Sequence, residues 1–203
     1  MAARTFGKPL LFVLCLTPLV WLFWRAALGD GLGANPVETV NRYLGDWALR
    51  FLLITLAVTP LARLTGRPAL RRYRRMLGLF AFAYAALHVA NYVLVDQALN
   101  GADIWADLLK RRFITVGAAV FCILAVLAAT SPKAIAKRLG GRRWRLLHRA
   151  VYPAAVGAVL HYAMMVKADP SGPLLHGAVL TLLLLVRFAP VVADAKIDGQ
   201  RDG

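Results

Sequence analysis

His88, His148, His161 and His176 are the four histidines of a 203-residue chain. The first three fall inside, or at the start of, long apolar blocks. Ionisable side chains are costly in hydrocarbon, so a histidine inside such a block marks a functional site by default. Imidazole is also a common protein ligand for haem iron, and two imidazoles on one iron leave no open position for substrate. That pattern favours electron transfer over oxygen chemistry. Cys15 and Cys122 both lie in apolar blocks and read as small buried hydrophobes, not as a disulfide or a zinc site. No nucleophile–base pair or phosphate-cradling glycine loop stands out. Thr65-Gly66-Arg67-Pro68 and Gly140-Gly141 read as turns.

The elements that hold these histidines follow from composition. The chain is 60% hydrophobic with a mean hydropathy of +0.60, whereas soluble domains are about 45–50% apolar. The excess is concentrated in six blocks, 10–28, 47–64, 76–95, 113–130, 146–166 and 174–190. Each approaches the roughly 20 residues that cross a bilayer as a helix. None alternates with period 2, which argues against a β-barrel. The fold class is therefore an all-α membrane protein, a bundle of six transmembrane helices. The first block is long, holds Pro18 and two tryptophans, and lacks a clear cleavage pattern before Gly29, so it reads as a retained span rather than a signal peptide. Residues 1–190 form one membrane domain, followed by a short tail, 191–203.

Charge sets the orientation. The net charge is +15, which in a soluble chain suggests nucleic acid. Here the cations are expelled into short connections, which points to membrane lipid and not to nucleic acid. Arg63, Arg67, Arg71, Arg72, Arg74 and Arg75 lie between the second and third blocks. Lys133, Lys137, Arg138, Arg142, Arg143 and Arg145 lie between the fourth and fifth. Neither loop holds an acid. The positive-inside rule makes both loops, and hence both termini, cytoplasmic. His88 and His161 then share a level in the outer half of two parallel spans. His148 starts the fifth span near the inner face, about 20 Å of helix rise below His161. On a straight helix His148 and His161 point about 140° apart, and Pro153 between them can kink the span. His176 begins the last span at the outer interface. Small residues, Gly78, Ala81 and Ala85 in the third block and Ala154, Gly157 and Ala158 in the fifth, leave room beside the histidines.

The remaining candidates each have two readings. Arg25 and Arg50, near the outer ends of the first two spans, can pair with haem propionates or snorkel to headgroups. The cytoplasmic arginines can hold a flavin phosphate or steer an anionic partner, or serve topology alone. Trp47, Trp105 and Trp144 read as interfacial anchors, and Trp144 beside His148 can also stack on a flavin. The rival functions are a proton-relay transporter or channel, and a structural membrane subunit with helix-bridging histidines. A haem Soret band separates both from the haem reading.

Several segments carry a family resemblance. They include Asn35-Pro36-Val37-Glu38, Gly45-Asp46-Trp47-Ala48-Leu49, Leu56-Ala57-Val58-Thr59-Pro60-Leu61, Arg74-Arg75-Met76-Leu77-Gly78-Leu79 and Tyr84-Ala85-Ala86-Leu87-His88. Lys110-Arg111-Arg112-Phe113-Ile114-Thr115-Val116-Gly117, Ala129-Thr130-Ser131, Tyr152 and His161-Tyr162 continue the series. The most specific is Leu139-Gly140-Gly141-Arg142-Arg143-Trp144-Arg145-Leu146-Leu147-His148-Arg149. In order, these cover nearly the whole chain. It resembles the MsrQ (YedZ) family, haem-binding membrane subunits of the periplasmic methionine-sulfoxide reductase system, within the ferric-reductase-like transmembrane group. The resemblance implies one or two b-type haems and FMN, in a bacterial inner-membrane, multi-pass protein. It implies electrons taken from the quinone pool or a cytoplasmic flavin reductase. It further implies delivery to a periplasmic molybdopterin-containing subunit that repairs oxidised methionines, so substrate chemistry belongs to that partner. His88 and His161 are then the axial ligands, and His148 marks a second haem or the site of electron uptake. Arg74, Arg75, Arg143 and Trp144 lie in the flavin or quinone vicinity. The wider group carries two histidine pairs on two helices, and here Arg74 or Arg75 stands near the position that pairs with His148. No nicotinamide-binding domain is expected after the last span.

Overall fold

The computed structural model describes residues 3–28, 30–166 and 168–188. Its helices are α1 (Ala3–Ala27), α2 (Pro36–Leu64), α3 (Arg74–Ala90), α4 (Gly101–Lys110), α5 (Arg112–Ala129), α6 (Lys133–Leu139), α7 (Gly141–His148), α8 (Val151–Met165) and α9 (Ser171–Phe188). A 3-10 helix, Pro68–Tyr73, leads into α3, and a π-helix, Asn91–Asp96, continues it. No strand occurs among the described residues. Four stretches are long and apolar enough to cross a membrane: Gly7–Ala27, Pro36–Leu64, Pro68–Asp96 and Arg112–Ala129. Ser171–Arg187 is a shorter apolar helix. At 15 residues, α8 extends only about 22 Å at 1.5 Å per residue, short of the roughly 30 Å hydrocarbon core. The expected tail, 191–203, lies outside the described residues.

The core is built around α2, whose one face from Leu44 to Ala62 is buried. It packs chiefly against α3, while α5 packs chiefly against α8, and α9 lies against α8 and α2. Much of the outside is apolar, as on α1, where Leu10, Phe12, Val13, Trp21, Phe23 and Trp24 are exposed. An apolar exterior this continuous suits a lipid solvent. Two tyrosines latch α1 to the core. Tyr84, fully buried, donates to the Cys15 carbonyl at 2.8 Å, and Tyr43 donates to the Pro18 carbonyl at 3.0 Å. Pro18 has no N–H to offer Leu14, and the Thr17 hydroxyl bonds that carbonyl instead at 2.8 Å.

Several boundaries differ from the sequence reading. The second helix starts at Pro36 rather than at 47, because the Asn35 side chain caps it and Pro36 occupies its first turn. Glu38, Arg42 and Asp46 therefore ride on helix, not loop. The segment around Trp105 forms α4, capped by Asn100 and tied to the π-helix by the Tyr92 hydroxyl on Asp107 at 2.8 Å. The fifth block is not one helix: α7 ends at His148, residues 149–150 turn, and α8 begins at Val151. The break precedes Pro153, which sits harmlessly in the first turn of α8. The 140° and 20 Å relations between His148 and His161, which assume a continuous helix, therefore do not apply. Gly66 and Gly140 both have positive φ, +62° and +76°, as turns there require. Cys15 is buried, but Cys122 faces outward, so only one of the two is a core residue.

Candidate functional site

His88 lies in the last turn of α3 and His161 near the end of α8. The same device holds both rings. His88 Nδ1 donates to the Asn41 carbonyl at 2.9 Å, and its ring lies flat on Gly45, where a Cβ would meet Cε1 and Nδ1 at 3.2 Å. His161 Nδ1 donates to the Phe113 carbonyl at 2.7 Å, and its ring lies on Gly117, where a Cβ would meet the same atoms at 2.9 Å. In each case a neighbouring helix, α2 or α5, offers a carbonyl and, four residues on, a glycine. A carbonyl only accepts, so Nδ1 carries the proton and Nε2 keeps its lone pair. A donor bond from the far ring nitrogen is the usual orienting partner of a metal-bound histidine.

The two rings meet in a T-shaped arrangement. Their centroids are 6.3 Å apart and their planes stand at 80°. Two metal–imidazole bonds of about 2.0–2.1 Å, plus the distance from each nitrogen to its ring centre, sum to about 6 Å. One iron between the rings fits that span. No group of three or more His, Cys, Asp or Glu suited to a metal occurs among the described residues. A ring pair alone suits haem, whose porphyrin brings the four in-plane ligands itself. Phe113 also flanks His161, with ring centroids 6.4 Å apart, and a groove lined by Arg111, Phe113, Met164 and Met165 opens beside it.

The other candidates divide into two groups. Near the His88–His161 level, the Arg50 guanidinium lies over the Trp47 ring at 5.0 Å and 3.8 Å from the Asp46 carboxylate. Arg25 and Arg50 are both within electrostatic reach of Tyr43. Trp47 Nε1 is buried with no hydrogen-bond partner among the described residues. His176 Nδ1 donates to the Gly172 carbonyl at 2.8 Å, and its ring meets the edge of Tyr162 at 5.6 Å. These contacts give His176 a packing role at its helix start.

At the opposite end of α8, His148 stands apart from the pair. Trp144 stacks on it, with centroids 3.9 Å apart and planes at 26°, and the Trp144 indole N–H donates to the Thr130 carbonyl at 2.9 Å. His148 Nδ1 lies 3.2 Å from the Trp144 carbonyl, and Nε2 is buried without a partner among the described residues. Arg74 lies within electrostatic reach of His148. Arg75 and Arg143 are exposed and take no part in this cluster.

Sequence reasoning missed Gly45 and Gly117. It sought small residues only on the spans that carry the histidines. The signal lay on the facing spans, as a glycine at the depth of each ring. It also missed Arg187, whose guanidinium lies 5.1 Å over the Tyr152 ring in the His148 neighbourhood.

Residues 44–159 match the family described as the ferric reductase like transmembrane component. That stretch contains Gly45, His88, Gly117 and His148, and stops just short of His161. The chain is 53% identical to the protein-methionine-sulfoxide reductase heme-binding subunit MsrQ of Rhodospirillum rubrum, over 92% of this chain and 89% of that one. It is 47% identical to the MsrQ of Caulobacter vibrioides, over 88% and 84%. It is also 44% identical to the magnetosome protein MamZ of Magnetospirillum gryphiswaldense, over 89% of this chain but only 29% of the longer protein. With the family model covering more than half its length and full-length relatives near half identity, the chain belongs to the MsrQ family, within the ferric-reductase-like transmembrane group.

Proposed function

We propose that this chain is the haem-binding membrane subunit of a protein-methionine-sulfoxide reductase, carrying electrons outward across the bacterial inner membrane. One observation carries the reading: two imidazoles 6.3 Å apart, each oriented by a carbonyl and a glycine of a neighbouring helix. His88 and His161 hold a b-type haem between them. Bound there, haem would supply one-electron transfer. The residues of the chain do the rest. Asn41 and Phe113 fix the tautomers, so that both Nε2 atoms keep a lone pair. Gly45 and Gly117 let the rings sit close to the helices behind them. Arg25 and Arg50 neutralise the propionates.

The topology follows from charge. The bundle crosses six times with both termini cytoplasmic, and α8 and α9 complete the fifth and sixth passages with their flanking turns. Residues 1–190 make up the haem domain. The histidine pair then lies toward the periplasm, where the groove between Arg111 and Met165 faces a molybdopterin-containing reductase. The chemistry on oxidised protein methionines takes place on that partner. His148, Trp144 and the arginines, Arg74 and Arg75 included, lie at the cytoplasmic end. There quinol, or FMN reduced by a flavin reductase, delivers electrons, directly or through a second haem at His148.

The test is spectroscopic. Wild type should show a low-spin Soret band that dithionite shifts, and that a sulfoxide shifts back only when the partner reductase is present. His88→Ala and His161→Ala should each insert normally and lose that band. An unchanged full spectrum in His88→Ala would defeat the pairing.

A further inference from the structure

The cytoplasmic end of the bundle holds more half-buried positive charge than electron transfer needs. Arg74 opens α3 and Arg187 lies in the last turn of α9. Arg74 is within electrostatic reach of Arg187, of Tyr152 and of His148. The Arg187 guanidinium lies over the Tyr152 ring at 5.1 Å. Its Nη1 is buried with no hydrogen-bond partner among the described residues, as is His148 Nε2. No acid lies nearby among the described residues. The stretches 47–95, 108–168 and 170–188 contain neither Asp nor Glu. The ion pairs among the described residues, Arg42–Glu38, Arg50–Asp46 and Arg111–Asp107, all lie at the other end of the molecule.

Two guanidiniums stay charged at any physiological pH. Brought together where water is partly excluded, they repel, and a buried donor without an acceptor is costly in its own right. Native structures keep such arrangements where a ligand completes them. We propose that Arg74 and Arg187 form a phosphate-binding site, with Tyr152 beneath Arg187 and His148 at its rim. Charge selects phosphate over carboxylate. Two guanidiniums match a phosphate monoester of about −1.5 to −2, whereas one carboxylate leaves a cation unpaired. The guanidinium fork suits phosphate oxygens. Phosphate reaches this place from two sources. One is the phosphate monoester of FMN, and the other is an inner-leaflet phospholipid whose headgroup brings two negative charges, the monoester of phosphatidic acid or the paired diesters of cardiolipin. The FMN source rests on the electron-transfer reading above; the lipid source does not.

The test uses the full-length chain in mild detergent and reads binding alone. FMN and riboflavin are titrated separately, following quenching of flavin fluorescence, and native mass spectrometry records phospholipid that stays bound. If FMN is the source, FMN binds at least tenfold more tightly than riboflavin, and Arg187→Gln erases the difference. If lipid is the source, an anionic phospholipid remains on the wild type and leaves Arg187→Gln. Arg187→Lys should restore part of either effect. Arg74→Gln provides the same reading should Arg187→Gln fail to fold, judged by its thermal unfolding. The proposal is overturned if flavins bind equally, or not at all, and no retained lipid depends on either arginine. Neither readout involves the His88–His161 Soret band, so this site and the haem site fail independently.

Discussion

Gly117→Ala should break the haem site more severely than any other single methyl group. The added Cβ would lie 2.9 Å from His161 Cε1 and Nδ1 and 3.4 Å from Nε2. Ordinary carbon contacts are about 3.5–4.0 Å, so the ring must retreat by more than half an ångström or α5 must move. The His161 ring has little freedom, because its Nδ1 is held by Phe113 at 2.7 Å. Overpacking of this kind costs about 1–3 kcal/mol. If the strain falls on ring placement, haem affinity drops about 5- to 150-fold, at 1.4 kcal/mol per tenfold. The gain in helix propensity from Gly to Ala, about 1 kcal/mol, raises fold stability but does not move the ring back. Gly45→Ala is milder, since its Cβ meets the His88 ring at 3.2 Å. Two controls bracket the effect. A Cβ on Gly157 meets Val120 Cγ2 at 2.7 Å, so Gly157→Ala should lower thermal stability and leave the haem spectrum alone. A Cβ on Gly101 meets nothing within 4 Å, so Gly101→Ala should change neither. The assay is titration of haem-depleted protein with haemin, followed at the Soret band and by electron paramagnetic resonance for low-spin iron. Wild-type affinity and spectrum in Gly117→Ala would refute the reasoning that this glycine exists to seat His161.

Three further outcomes follow from the same structure. Reporter fusions within 63–75 and 133–145 should signal the cytoplasm, and fusions near Asp103 the periplasm; the reverse pattern would invert the depth of every site. Tyr84→Phe removes a fully buried hydroxyl bonded to the Cys15 carbonyl and should cost about 1–3 kcal/mol by leaving that carbonyl unpaired, seen as a lower thermal midpoint in detergent with α1 released to protease first. Tyr92→Phe removes the bond to Asp107 and should cost about 1 kcal/mol, with faster amide exchange confined to α4; exchange unchanged there would show that α4 is held by its apolar face alone.

That His88 and His161 come together was legible from sequence, because hydropathy and helix rise set them at matching positions along two spans. The pairing of His88 with His161 is the direct product of that arithmetic, and the 6.3 Å ring separation agrees with it. What orients the rings was not legible. A backbone carbonyl leaves no trace in residue type, and Gly45 and Gly117 look like any small residue that lets membrane helices approach. The break at 149–150 was hidden for a related reason. Residues 146–166 are apolar enough to read as one span, and no glycine or proline stands at the turn itself. Arg187 escaped notice because a single arginine at the end of an apolar run reads as an anchor. Only the packing of α9 against α8 brings it over Tyr152.

The two glycine seats have a consequence for how the molecule is built. His88 takes both its orienting groups from α2, and His161 takes both from α5. Neither borrows anything from the other's helix pair. Each half of the site is therefore finished within a single hairpin, α2 with α3 and α5 with α8. During synthesis the first half can set its tautomer and ring angle while the second is still on the ribosome. What remains for the end is one rigid-body meeting of two prepared surfaces, which brings the two rings to 6.3 Å only when both hairpins have inserted in the correct sense.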